Sequence, residues 1–410
     1  MRNLIPLLMV FMILQSCSDG KKNLVVLSAP AGKMYTSINM GGVTVIPNGR
    51  LLTPAGMTFL VAPHPFGLAL SSDGETAVTA NSGTNPLSIS IIRNLSLSPE
   101  IMQIPPGHST DAGILESVFM GLAITPDNSK VYVAGGQANK IFVFDLVTGN
   151  KTDSIDCAIS SDGTDYPDGY IGDMAISKDG RHLFAVDQMN FRMLIADTRV
   201  MQVTASVPVG RYPFGLALTN DGKKIYVANV GMFQYSKIGS IEADSDYGKA
   251  LSFPPFAYNS QEMINGITTD SLVVPGLGDP NSDLAFSVWG IDIEDISKPV
   301  VTSRIKTGNL VGQMVEGIPA VGGSSPNSMA VTSSYVFVSN GNNDSITVID
   351  IRSDSVVKEV YLKPDDAVKR FRGVIPFGLD VSPDGRKLFV AEAGIDAVGV
   401  IDIPSMRVVG

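Results

Sequence analysis

Pro376-Phe377-Gly378-Leu379-Asp380-Val381-Ser382-Pro383-Asp384-Gly385-Arg386-Lys387-Leu388-Phe389-Val390-Ala391-Glu392 spells an apolar strand, a turn and a second apolar strand. Alternating Leu and Val positions give the strand period, and Asp384-Gly385 predicts a two-residue hairpin turn. The pattern recurs five times upstream. Pro65-Phe66-Gly67-Leu68-Ala69-Leu70 leads through Asp73-Gly74, and Gly121-Leu122-Ala123-Ile124 through Asp127-Asn128. Asp173-Met174-Ala175-Ile176 leads through Asp179-Gly180, and Pro213-Phe214-Gly215-Leu216-Ala217-Leu218 through Asp221-Gly222. Pro326-Asn327-Ser328-Met329-Ala330-Val331 turns at Ser333-Ser334.

Aligned on Gly67, Gly121, Asp173, Gly215, Ser328 and Gly378, the copies are 54, 52, 42, 113 and 50 residues apart. Two further strands fit between hairpins, best written at Ile141-Phe142-Val143-Phe144-Asp145 and Ile346-Thr347-Val348-Ile349-Asp350-Ile351. Four antiparallel strands per 40–50 residues predict an all-β, closed repeat array, a β-propeller. The 113-residue interval lacks a second hairpin of this type. It contains Ala285 to Ile293 as a third strand and Pro299 to Lys306 as a fourth, so residues 231–284 read as an insertion within the fourth blade.

Residues 42–410 resemble the YVTN-repeat β-propeller family, most closely at Val336-Phe337-Val338-Ser339-Asn340 followed by Ile346 to Asp350. Tyr226-Val227-Ala228-Asn229 and Val78-Thr79-Ala80-Asn81 match nearly as well. The resemblance implies seven blades of four antiparallel strands, the last composite or incomplete. Gly42 to Ile46 and Met57 to Val61 are expected to be two of its strands. Its inner hairpin is expected after Gly410, or residues 23–40 close the ring instead. Leu52 to Gly56 also resembles lipoproteins that join such a propeller to an alkaline-phosphatase-like phosphoesterase domain, which implies a C-terminal hydrolase domain as a partner. Lactonases also use this fold.

Composition limits the function. Hydrophobic residues at 44% with charged residues at only 17% fit a folded chain rather than a disordered one. Arg2, the apolar Leu4 to Leu14 and Leu14-Gln15-Ser16-Cys17 read as a lipoprotein signal at 1–16, with Cys17 acylated and residues 17–41 a tether. This predicts a lipid-anchored protein of the bacterial envelope, periplasmic or associated with the outer membrane. Loss of residues 1–16 leaves 29 basic and 40 acidic side chains, which disfavours nucleic acid and leaves the lipid as the membrane contact. Cys157 then has no disulfide partner and reads as a small buried hydrophobe.

No Gly-x-Ser-x-Gly, phosphate loop, zinc signature or Cys-x-x-Cys-His is present, and His64, His108 and His182 are the only histidines. Function is therefore expected where the copies differ. His64, Arg211, Tyr212 and Arg372 lie in the segments leading into first strands and predict a cationic rim at one channel mouth, suited to a protein or a small carboxylate or phosphate. Asp162, Asp165 and Asp168 in a turn-rich loop are candidate calcium ligands, without the EF-hand spacing. The sequence thus reads as a non-catalytic binding scaffold, with a lactonase-like hydrolase or the accessory part of a phosphoesterase as alternatives.

Overall fold

The computed structural model describes residues 28–83, 85–158, 163–234, 260–270, 273–363 and 372–410. The signal segment and Cys17 lie outside them. The chain divides into two compact units, Met1–Leu60 and Val61–Gly410. In the first, Thr44–Val45 pairs antiparallel with Leu51–Leu52. Gly49, at φ 78°, and an Ile46 N–H donated to the Arg50 carbonyl (3.1 Å) turn the chain back at once. Residues 57–61 form no strand, in contrast to the sequence expectation.

In the second unit the described residues form six four-stranded antiparallel groups, four of them separate sheets and two joined into one eight-stranded sheet, beside two short two-stranded hairpins. The first sheet is Pro65–Leu70, Thr76–Asn81, Ser88–Arg93 and Glu100–Ile104. The second is Leu122–Ile124, Lys130–Ala134, Lys140–Asp145 and Lys151–Asp156. The third is Ile171–Ile176, His182–Asp187, Arg192–Asp197 and Gln202–Pro208. The fourth is Pro213–Leu218, Lys224–Asn229, Ser287–Asp292 and Val300–Lys306. The fifth is Pro326–Val331, Tyr335–Asn340, Ser345–Asp350 and Ser355–Tyr361. The sixth is Pro376–Val381, Lys387–Glu392, Ala397–Asp402 and Arg407–Val408. The second and third sheets touch through one parallel pair, Asp156 with Gln202. The first strands are neighbours in series. This all-β arrangement is compatible with a β-propeller.

The hairpin turns are wider than Asp-Gly alone suggests. Residues 382–386 link the last sheet's first two strands, because the Ser382 hydroxyl donates to Asp384 (2.6 Å) and accepts from the Lys387 N–H (2.9 Å). Gly385 takes the left-handed conformation at φ 69°. The same Ser/Thr–Asp pair closes the turns at Ser71–Asp73, Ser177–Asp179 and Thr219–Asp221. Each hydroxyl holds its Asp carboxyl below the ordinary range.

Apolar sheet faces pack against a neighbouring layer, and five apolar cores do this, one between each successive pair of sheets. One position on each of the first five second strands faces the following sheet: Val78, Tyr132, Phe184, Tyr226 and Phe337 are all 3% exposed or less. At the axis the first strands come so close that a Cβ on Gly67 would lie 1.9 Å from the Met120 carbonyl oxygen, and one on Gly215 2.2 Å from that of Asn327. Where glycine is replaced, the side chain bridges instead. Asp173 accepts the Leu216 N–H (2.9 Å), and Ser328 accepts that of Leu379 (3.3 Å). Burial raises the Asp173 carboxyl to about 6. Gly215→Ala is expected to cost about 1–3 kcal/mol, read as a lower urea midpoint at unchanged slope; an unchanged midpoint would contradict the close approach.

Candidate functional site

Four of the six first strands follow a backbone corner, and two of the expected rim residues are parts of it. His64, Tyr212, Ser325 and Ile375 immediately precede Pro65, Pro213, Pro326 and Pro376, and all four have φ between 47° and 57°. Their carbonyls accept the N–H groups of Ser82, Val230, Gly341 and Ala393, each at 3.1 Å. Four different side chains at one backbone corner identify a structural role for that position. His64 adds a contact between Nδ1 and the Ser82 hydroxyl (3.1 Å) and stacks on Phe66 with centroids 5.4 Å apart. Tyr212 meets Phe191 edge-on at 4.7 Å.

Arg211 turns inward rather than to a rim. It is 5% exposed, and its Nη1 donates to the carbonyls of Met232 (2.8 Å) and Asp279 (2.9 Å). The fourth sheet pairs Lys224–Asn229 directly with Ser287–Asp292, so Arg211 ties together the outgoing and returning ends of the long excursion between them. Lys306, from the last strand, holds only the returning end, donating to the carbonyls of Ser282 (3.1 Å) and Ala285. Burial is the main reason that its ammonium falls to about 8; Asp279 opposes the shift and Arg211 adds to it. Burial likewise lowers Arg211. Arg372 sits two residues further from its first strand than Arg211 does, and pairs with Glu316 at 3.2 Å. Sequence order alone places these two arginines at one level.

At the axis, phenyl rings converge. Phe66, Phe119, Phe214 and Phe377, from four different repeats, form a closed circuit with centroid separations of 5.5, 6.0, 5.7 and 5.3 Å. Tyr170 joins edge-on to Phe119 at 5.0 Å. Sequence reading missed this cluster, although Pro-Phe-Gly at three lead-ins was its signal.

The expected calcium loop is described in part. Asp162 lies outside the described residues, while Asp165 and Asp168 are exposed. The Asp168 carbonyl accepts from Asn190 (2.7 Å), and Arg192 stacks over the Tyr166 ring at 3.5 Å. Among the described residues no three His, Cys, Asp or Glu side chains group to hold a metal ion. Cys157 is buried, and its thiol is pushed up by burial.

A cavity of about 620 Å³ lies beside Arg372. A short hairpin, Met314–Val315 with Ile318–Pro319, supplies one wall; Asn342, Asn343 and Tyr361 supply another.

No protein-family model matches the sequence. Over 322 residues the chain is 23% identical to antigen Lp49 of Leptospira interrogans serogroup Icterohaemorrhagiae serovar copenhageni (strain Fiocruz L1-130), covering 76% of this chain. The chain spans about 60% of that relative's length. A solved structure of a functionally unknown protein from Desulfotomaculum acetoxidans DSM 771 is similar with a TM-score of 0.52 and 14% identity, over 88% of this chain and 90% of that one. Hydrazine synthase of Kuenenia stuttgartiensis aligns over 86% and 99% at 14% identity, with a TM-score of 0.41, a likeness too distant to bear on the fold.

Lys306 gives a pH test of the buried clamp. Between about 8 and the ordinary lysine value of 10.5 the unfolded chain keeps a proton that the folded chain sheds. Stability relative to Lys306→Met is therefore expected to rise with pH across that window, measured as denaturant midpoints at pH 7.5 and 10. Parallel pH profiles would show that Lys306 is solvated.

Proposed function

We propose that the chain is a YVTN-type β-propeller with seven places around its axis, acting as a non-catalytic, lipid-anchored binding scaffold of the bacterial envelope. The supporting observation is the pair of faces that the six sheets leave uncovered. Phe389 occupies in the sixth sheet the position of Phe337 in the fifth, yet it is 39% exposed where Phe337 is 1% exposed. Val398, beside it on the same face, is 64% exposed. At the other end of the series, Leu68 corresponds to Leu216 and is 73% exposed against 5%. Gly378 keeps the axial glycine, but a Cβ there would meet nothing nearer than Ala391 at 3.8 Å. Both faces thus carry residues shaped for a neighbouring sheet.

The reading as a scaffold draws on how buried charge is used. Asp187 pairs with Arg192 at 2.9 Å, both fully enclosed, and Arg192 also donates to the Cys157 carbonyl (2.6 Å). Asp344 accepts the N–H groups of Gly373 (2.7 Å) and Ile375 (2.9 Å). These groups hold loops in place. That the Leptospira relative is an antigen supports an envelope location.

The seven-place reading is tested in the full-length protein. If a seventh sheet fills the interval, Gly378→Ala costs about as much as Gly215→Ala, and cysteines at Leu68→Cys and Phe389→Cys resist a thiol reagent until unfolding. A neutral Gly378→Ala with both cysteines labelled at once would sink it.

A further inference from the structure

The cavity beside Arg372 combines two kinds of wall. Val315, Ile318, Pro319 and Val321 make an apolar arc, with Ile318 69% and Val321 70% exposed. Opposite stand Arg372, the exposed Asn342 and the half-exposed phenol of Tyr361. The lining is divided evenly between apolar and polar residues, and small-molecule sites join an apolar wall to convergent polar groups that fix orientation.

The polar wall is anchored from beneath. Asn343 accepts the Asn309 N–H (2.7 Å), and Glu359 accepts that of Gly308 (3.1 Å). Asp344 holds the backbone at Gly373 and Ile375, immediately after Arg372. The apolar wall is lighter, with two residues per strand and a two-residue turn at Glu316 (φ 52°) and Gly317 (φ 83°). That turn sets the Glu316 carboxylate 3.2 Å from Arg372, with both side chains about half exposed. The protein therefore already shows Arg372 facing a carboxylate, the geometry its planar fork favours. A half-exposed pair contributes little and exchanges readily.

We propose that this cavity binds a small carboxylate with an apolar body, whose head takes the place of Glu316 on the Arg372 guanidinium. The body lies on Val315, Ile318 and Val321. Glu316 occupies Arg372 when no ligand is bound and competes with the incoming acid. The proposal is independent of how many places the ring has.

The full chain is titrated calorimetrically at low salt with acetate, butyrate, octanoate and phenylacetate, and with octanamide as the neutral control. Octanoate or phenylacetate is expected to bind at least about tenfold more tightly than acetate and than octanamide. Glu316→Gln, which removes the competitor, tightens binding about two- to fivefold. Arg372→Gln weakens it at least about tenfold. Both substitutions lie at the surface, and unchanged thermal midpoints confirm that the variants fold. Equal binding of octanoate and octanamide, an unchanged affinity in Arg372→Gln, or no binding by either the wild type or Glu316→Gln up to about 10 mM overturns the proposal.

Discussion

The approach of neighbouring first strands at the axis is the constraint on which the rest depends. With backbone oxygens about 2 Å from where a Cβ would stand, Gly67 and Gly215 admit no side chain. Asp173 and Ser328 are accommodated because each spends its side chain on the adjacent strand's N–H. The cores between successive sheets are filled mainly by the second and third strands.

A second device recurs at the end of the second strand. Asn81 donates to the hydroxyls of Ser88 (3.1 Å) and Ser90 (3.0 Å), and Asn340 to those of Ser345 (3.2 Å) and Thr347 (2.7 Å). Both asparagines are fully buried. The third sheet uses a charged version, Asp187 with Arg192, which Cys157 and Tyr166 help to enclose. An enclosed polar group must find partners, so these nodes fix where the chain turns from second to third strand. The last sheet has Glu392 and Ala397 at these positions; burial raises the Glu392 carboxyl, and Asp344 adds to the rise.

The strands and their order were legible because a two-residue apolar period over six copies is local information. The turn type was less so: Asp384-Gly385 signals a hairpin, but the Ser382 hydroxyl widens it. The rim was least legible. His64 and Tyr212 stand out in sequence, yet Ser325 and Ile375 occupy the same backbone corner with unlike side chains. Arg211 looks like a surface cation and instead holds two carbonyls inside the fold.

Sequence alone determined the all-β class, the repeat and the positions of the turns, because strand period and glycine punctuation are properties of neighbouring residues. Tertiary structure decided which polar groups remain available. Burial turned Arg211 and Lys306 into a clamp, brought four phenylalanines from distant repeats into one circuit, and placed Arg372 against Glu316 beside a cavity. It also revealed that Leu68 and Phe389, written like their buried counterparts, face outward. Their surroundings are set by sheets that lie far apart along the chain, and no local pattern specifies which neighbours those sheets meet.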